Sequence, residues 1–154
     1  MPHPLDPLLP SEISLVAHTV NAFLKGDKKV SFNTITLLEP PKEVLQKHVF
    51  GKGHKPPRKA EAIVIGIGTG QISEVIVSID GRKGNVEDWK DISGVQPTIT
   101  LEDLTATEEI VRKDPGVIEQ CKVSGVTDMS KVYCDPWTIG YDERWYKFPE
   151  MIAN

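Results

Sequence analysis

Residues 60–80 read AEAIVIGIGTGQISEVIVSID, and this stretch decides the fold. Two runs rich in valine and isoleucine, Ala60–Ile67 and Gln71–Ile79, flank a Gly-Thr-Gly turn. β-Branched residues that alternate with other side chains on both sides of a glycine turn are typical of a β-hairpin. The Asp-Gly pair that follows predicts a second hairpin turn into Lys83–Val86. The sequence therefore predicts an antiparallel meander of three strands.

The glycines at positions 66, 68 and 70 follow a strand and resemble the start of a dinucleotide-binding fingerprint. That fingerprint needs a helix directly after the glycines, because the helix N-terminus holds the pyrophosphate. The residues that follow, QISEVIVSID, have the composition of a strand. The third glycine also comes one position too early. We therefore interpret the glycines as a hairpin turn and not as a nucleotide site.

The residues before the meander predict one long helix, one further strand and a short helix. Ser11 is the predicted N-cap of the first helix, whose apolar residues follow helical spacing up to Leu24. Val30–Glu39 alternates as a strand, and Lys42–Phe50 predicts a short helix with Val44, Leu45 and either His48 or Val49 turned inward. One long helix over a curved antiparallel sheet is an α+β fold.

The residues after the meander predict a linker and two helices. Glu87–Pro97 is interpreted as an irregular linker with Trp89 as its anchor. Thr100 and Asp103 form a predicted capping box, and a third helix is expected over Pro115–Ser124, with Pro115 in its first position. The acidic residues of the helix that begins near Thr100 favour a solvated face over a metal or acid–base site. Its predicted buried residues are Leu101, Leu104, Ile110 and Val111.

The segment KVYCDPWTIGYDERW, Lys131–Trp145, places four large rings at a spacing of four residues. Pro136 and Gly140 disfavour a helix there. We therefore predict a short strand, a turn at Asp135-Pro136 and an irregular segment. The candidate interaction surface of the chain consists of Tyr133, Trp137, Tyr141 and Trp145.

Composition excludes several classes of function. The chain has 154 residues and a formal net charge of −4, so we expect no nucleic-acid partner. It lacks an N-terminal secretory signal and an apolar run that could span a bilayer, so we expect no membrane partner and an intracellular location. Cys121 and Cys134 are expected to be reduced, although a bridge between them is geometrically conceivable.

The loop Gly51–Lys59 is basic and has two interpretations. Its lysines and arginine, with His48 and His54 nearby, suit a phosphate-binding patch, but no aromatic residue of the loop is available for base stacking. A solvated loop is the preferred interpretation. The two histidines are a poor metal pair, because no Cys or acid lies at ligand spacing.

Several long motifs of the chain closely resemble the N-terminal region of fungal copper amine oxidases. The motifs are HPLDPLLPSEISLVAHTV (3–20), VSFNTITLLEPPKEVL (30–45), GVQPTIT (94–100), EEIVRKDPGVIEQCK (108–122) and VYCDPWTIGYDERW (132–145). The resemblance implies two small cystatin-like α+β domains that precede a catalytic domain. It implies a complete second domain over residues 1–93 and a truncated third domain over residues 94–154. That third segment would hold helices and a first strand, followed by a divergent tail.

The residues that carry the chemistry of that family have no counterparts in this chain. The family oxidises primary amines to aldehydes and releases ammonia and hydrogen peroxide, with copper and a tyrosine-derived topaquinone as cofactors. No asparagine precedes a tyrosine here, and His3, His18, His48 and His54 include no His-x-His pair. The resemblance therefore implies no catalytic, cofactor-binding or metal-binding residue in this chain.

We expect a non-catalytic module that acts, if at all, by self-association or by binding another protein. Two alternatives remain open: a fragment of a full-length oxidase, whose function is oxidative deamination, and a cystatin-like inhibitor. The start at Met1 and the unfamiliar last residues favour a naturally short protein over a fragment. The C-terminus is not a peroxisomal Ser-Lys-Leu address, so the cytoplasm is preferred over the peroxisome.

Overall fold

The chain divides into two compact units, residues 1–97 and 98–154. The computed structural model describes residues 3–26 and 28–137. The longest helix in these two ranges has 14 residues, and none there is both long and apolar enough to cross a membrane. The elements are α1 (Pro10–Phe23), β1 (Val30–Leu38), α2 (Lys42–Val49), β2 (Arg58–Gly66), β3 (Ile72–Asp80), β4 (Lys83–Ile92), α3 (Leu101–Lys113), α4 (Pro115–Val123) and a 3-10 turn (Met129–Lys131).

The first unit is a four-stranded antiparallel sheet in the order β1-β2-β3-β4, with α1 packed on one face. The alternating residues of β2 and β3 point in turn toward the helix and away from it. The helix contributes Val16 and Val20 to the core, and both are fully buried. The predicted α+β fold and its meander are therefore confirmed. The buried strand residues of this core are Ala60, Ala62, Val64, Val75, Val77 and Ile79.

The last strand, β4, is longer than the sequence suggested. The predicted linker from Glu87 is wrong, because β4 continues to Ile92 and pairs with β3 throughout. A register shift between Ile76 and Val77 places Trp89 opposite Val75, so that the indole lies against the core. The Trp89 ring also stacks on Phe23 of α1, with 5.7 Å between ring centroids. The packing of Trp89 explains why the charged second half of β4 is part of the sheet.

Helix α1 begins before the predicted cap. The helix starts at Pro10, with Leu9 as N-cap, so the prediction of Ser11 as N-cap is wrong. Proline suits the first helical position because its missing N–H needs no partner there. The Glu12 carboxylate reaches back and accepts a hydrogen bond from the Leu9 backbone N–H at 2.9 Å. The helix start is therefore held by an acid that bonds back to the N-cap backbone and not by a serine side chain.

A buried ion pair joins α1 to the first residue of β2. Arg58 and Glu12 each have an exposed fraction of 8%, and two parallel hydrogen bonds of 2.8 and 2.9 Å link guanidinium and carboxylate. The remaining donors of Arg58 contact the backbone carbonyls of His3, Asp6 and Pro7 at 2.8 to 3.3 Å. This arrangement, which we call the Arg58 clasp, fixes the N-terminal segment to the sheet. The Arg58 hydrogen bond also holds the pKa of Glu12 below its ordinary value.

Candidate functional site

The candidate interaction surface belongs to the second unit, where α3 provides its support. The Thr100 hydroxyl accepts a hydrogen bond from the Asp103 backbone N–H at 3.1 Å, and the Asp103 carboxylate accepts one from the Thr100 N–H at 2.9 Å. The predicted capping box is thereby confirmed. The Thr100 backbone N–H and then the Thr100 hydroxyl, which both donate to this carboxylate, lower the pKa of the Asp103 carboxyl. Helix α4 follows directly, with Pro115 in its first position as expected.

Arg112, in the last turn of α3, holds the segment that carries the first ring of the surface. Its Nε donates to the Val132 carbonyl at 2.6 Å, and an Nη donates to the Ser130 carbonyl at 3.4 Å. The guanidinium also makes a cation–π contact with Tyr133, with 5.2 Å between Cζ of Arg112 and the ring centroid. Glu108 pairs with Arg112 at 2.9 Å and orients it. One arginine thus orders the backbone on which the tyrosine sits.

A short turn before this segment is fixed by Asp128. Its carboxylate accepts hydrogen bonds from the Ser130 backbone N–H at 3.1 Å and the Ser130 hydroxyl at 2.7 Å. These bonds hold the pKa of Asp128 below its ordinary value. The turn ends in the 3-10 helix, so that Ser130 and Val132 present their carbonyls to Arg112.

The two described rings of the predicted surface are exposed to solvent. Tyr133 is 79% exposed and Trp137 is 81% exposed, values unusual for aromatic side chains of this size. In the described part of the chain the two rings do not stack on each other. Tyr141 and Trp145, the other two members of the predicted surface, lie outside the described residues.

The expected strand in this segment is absent from its described portion. Residues 132–137 form neither helix nor strand, so the predicted short strand before Asp135-Pro136 is wrong. The Val132 carbonyl accepts its hydrogen bond from the Arg112 side chain and not from the backbone of a neighbouring strand. The remainder of the segment lies outside the described residues.

The two helices of this unit bury less than the sequence suggested. Leu101 and Ile110, predicted to face a core, are 77% and 69% exposed, and Val123 of α4 is 75% exposed. No residue is buried in residues 98–137 of the described chain. The prediction of a buried apolar side for α3 is therefore wrong for these two residues. The unit instead presents a set of large apolar side chains to solvent.

The side chains that could bind a metal are scattered. No group of three His, Cys, Asp or Glu residues in the described ranges is placed to hold a metal ion. Copper sites of the histidine type need three such donors around one point. Cys121 and Cys134 are free and half-buried. The donors in the described ranges therefore do not fit a copper centre.

The sequence matches two protein-family descriptions. Residues 3–89 match "Copper amine oxidase, N2 domain", and residues 102–149 match "Copper amine oxidase, N3 domain". A peroxisomal primary amine oxidase from Pichia angusta is 46% identical over 88% of this chain and 19% of its own length. Copper amine oxidase 1 from Schizosaccharomyces pombe is 44% identical over 92% of this chain and 20% of its own length. The chain thus spans about a fifth of the length of these curated relatives.

Two further relatives bear on fold and location. A solved copper-containing benzylamine oxidase from Hansenula polymorpha superposes with a TM-score of 0.71 at 24% identity, over 92% of this chain and 23% of that one. This likeness concerns the fold alone. A tobacco diamine oxidase, 29% identical over 90% of this chain and 22% of its own length, is named as peroxisomal, like the Pichia enzyme. The preference for the cytoplasm over the peroxisome therefore gains no support. The chain belongs to the copper amine oxidase family, of which it carries an N-terminal region.

Proposed function

We propose that this chain is a non-catalytic structural and interaction module of the copper amine oxidase family. The observation that carries the proposal is the exposure of two large aromatic side chains in one segment of the second unit, Tyr133 at 79% and Trp137 at 81%. Large apolar side chains that lie close together in the exposed state are typical of association sites. Tyrosine and tryptophan dominate the binding energy of protein interfaces. A second copy of the chain or another protein is the partner that such a surface fits.

The proposed lack of catalysis rests on the donor set. The family's reaction converts a primary amine, oxygen and water to an aldehyde, ammonia and hydrogen peroxide, with copper and topaquinone as cofactors. None of the tyrosines follows an asparagine, as the quinone precursor would, and the four histidines contain no His-x-His pair. Both matched family descriptions concern N-terminal domains.

A second candidate is that the chain is part of a longer amine oxidase and shares the function of that enzyme. The observation that favours it is the length of the relatives, of which the chain spans about a fifth. The genomic reading frame distinguishes the two candidates. A frame that continues beyond Asn154 into an Asn-Tyr-Asp motif supports the second candidate, and a stop codon there supports the first.

The interaction surface is tested by replacing its two described rings with serine, as Tyr133→Ser together with Trp137→Ser. We expect the wild-type chain to self-associate as its concentration rises, and the double variant to associate at least tenfold more weakly. The reason is that loss of a buried interface tryptophan costs about 2 kcal/mol or more. Multi-angle light scattering over a hundredfold range of concentration measures the effect.

Phe50→Ser provides the matched control, since Phe50 is an aromatic residue of the first unit with an exposed fraction of 72%. It should associate like the wild type. A wild-type chain that stays strictly monomeric at the highest concentration, and captures no partner through these rings, would contradict the proposed surface.

A further inference from the structure

The C-terminal end of α2 is folded back by a glycine turn. The Gly51 N–H donates to the His48 carbonyl at 3.0 Å, and the Lys52 N–H donates to the Lys47 carbonyl at 2.8 Å. This pair of bonds is the Schellman motif, and Gly51 supplies the positive φ of 67° that the motif requires. The turn brings the backbone of Lys52 next to that of Lys47.

The loop continues against the same turn of helix. A Cβ atom at Gly53 would lie 3.1 Å from Cβ of Lys47, so the loop backbone is in close contact with the helix. Helix and loop together form one exposed feature. We call it the α2 tip and define it as Lys42, Lys47, Val49, Phe50 and Lys52.

The α2 tip exposes apolar side chains that the fold does not use. No residue of α2 is buried. Val49 is 61% exposed and Phe50 is 72% exposed. Of the residues expected to turn inward, the prediction is wrong for Val44, because it is 42% exposed. Leu45 is half-buried and, of the pair His48 or Val49, His48 is the half-buried one. The helix therefore adds nothing to the core, and its apolar end faces water.

The lysines of the α2 tip lack acidic partners. Lys42, Lys47 and Lys52 form no ion pair with any residue in the described ranges, in contrast to Lys59, which pairs with Glu87. The stretch 42–52 contains three lysines and a single acid, Glu43. A locally positive surface results, although the chain as a whole carries a net charge of −4.

We propose that the α2 tip docks on an anionic phospholipid surface. The positive charge of the lysines favours an anionic partner. The exposed apolar side chains of Val49 and Phe50 favour a partner with an apolar interior that they can enter. A double-stranded nucleic acid presents its phosphates outward and offers no apolar phase that Val49 and Phe50 could enter. This inference concerns the first unit and goes beyond the proposed function, which rests on the second.

The composition of the α2 tip favours a lipid surface over an acidic protein. Protein interfaces are enriched in arginine, tyrosine and tryptophan and are depleted in lysine. The α2 tip has three lysines, a valine and a phenylalanine, which is the composition of helices that lie at a membrane surface. The long lysine side chains can remain with the headgroups while Phe50 enters the boundary of the acyl region. Our expectation of no membrane partner rested on the lack of a spanning segment, which surface docking does not need.

Vesicle co-sedimentation of the full 154-residue chain tests this proposal. The wild type is expected to bind vesicles of 70% phosphatidylcholine and 30% phosphatidylserine at low ionic strength, and not to bind pure phosphatidylcholine. Each lysine near an anionic surface raises affinity about fivefold. Lys47→Gln with Lys52→Gln should therefore weaken binding by about 25-fold. Phe50→Ser should weaken it by about tenfold through the loss of apolar burial.

The matched control removes the same charge elsewhere, as Arg82→Gln with Lys83→Gln. These two residues of the β3–β4 hairpin are exposed and form no ion pair in the described part of the chain. The control should bind the vesicles within threefold of the wild type. All variants should show the circular dichroism of the wild type, because none of the replaced side chains is buried.

Three results would overturn the proposal. The first is a wild-type chain that does not bind the phosphatidylserine vesicles at 50 mM salt or below. The second is equal weakening by the Lys47/Lys52 and Arg82/Lys83 pairs, which would assign binding to general charge. The third is a tighter affinity for a polyglutamate peptide than for the vesicles, which would assign the α2 tip to an acidic protein.

Discussion

Replacing Arg58 by alanine is expected to lower the free energy of unfolding by about 3–5 kcal/mol. The change leaves the Glu12 carboxylate, in a side chain only 8% exposed, without its partner. The carbonyls of His3, Asp6 and Pro7 also lose the donors that hold the N-terminal segment on the sheet. A loss of this size is a large part of the stability of a small domain. Urea unfolding followed by tryptophan fluorescence measures it.

Lys59→Ala is the matched control for this variant. Lys59 is the next residue and also forms an ion pair, with Glu87, but both side chains are about one-third exposed. Exposed pairs of this kind contribute less than about 1 kcal/mol. If Arg58→Ala and Lys59→Ala destabilise the chain equally, the Arg58 clasp does not have the role that we assign to it.

The same pair gives the stability of the chain a pH dependence of known sign. The hydrogen bond from Arg58 lowers the pKa of Glu12 in the folded state, so ionised Glu12 stabilises the fold above its unfolded-state pKa. That contribution is lost as the pH falls through the lowered folded-state pKa. Glu12→Gln lacks this contribution, so its difference in stability from the wild type should be largest near neutral pH and should shrink in acid. An unchanged difference at pH 7 and pH 3 would contradict this explanation.

Replacing Gly84 by alanine is expected to destabilise the first unit by about 1–3 kcal/mol, because it overpacks the contact between β4 and α1. A Cβ atom at Gly84 would lie 2.2 Å from Oγ1 of Thr19, far inside van der Waals contact. That hydroxyl cannot easily move away, since it donates to the Leu15 carbonyl at 2.7 Å. Thermal unfolding of the single variant measures the cost.

A double-mutant cycle with Thr19→Ala separates this clash from a general loss of strand stability. Without the hydroxyl, only a contact of 3.1 Å to Cβ of residue 19 remains. The cost of Gly84→Ala should therefore fall by about 1 kcal/mol or more in the Thr19→Ala background. Asn85→Ala, at the next and exposed position of β4, should be nearly neutral. Equal costs of Gly84→Ala in both backgrounds would show that the close approach of α1 is not the cause.

Local patterns were sufficient to predict the meander of the first unit and the long helix that covers it. The alternation of residues 60–80 and the two glycine turns specify a meander with few alternatives, and the helix before it supplies the one apolar face that the sheet needs. The Thr100 capping box was equally visible, because its two partners lie three residues apart. Such features depend on neighbours in the sequence.

Features that depend on distant residues were missed. Glu12 and Arg58 are 46 positions apart, and a charged residue in isolation looks exposed. The second half of β4 looked like a linker because its charges conceal the pairing of Trp89 with Val75. The ion pair and the strand pairing both join residues that are distant in the sequence, so neither can be predicted from a local pattern.

In the second unit the sequence predicted burial that the structure does not show. The spacing of Leu101 and Ile110 predicted a buried helix face, but both are largely exposed. The spacing of apolar residues predicts that a helix has an apolar side. It does not predict that another part of the chain packs against that side. Of the four predicted surface rings, the structure places Tyr133 and Trp137 in solvent, and the other two lie outside the described residues.

We propose that this chain, a member of the copper amine oxidase family, does not oxidise amines by itself. The most direct test is to load the purified chain with copper, add benzylamine or methylamine in air, and measure hydrogen peroxide release. A full-length copper amine oxidase serves as the positive control. We predict no amine-dependent peroxide above that of copper in buffer. Peroxide release that requires both copper and the folded chain, and that saturates with amine concentration, would contradict the claim.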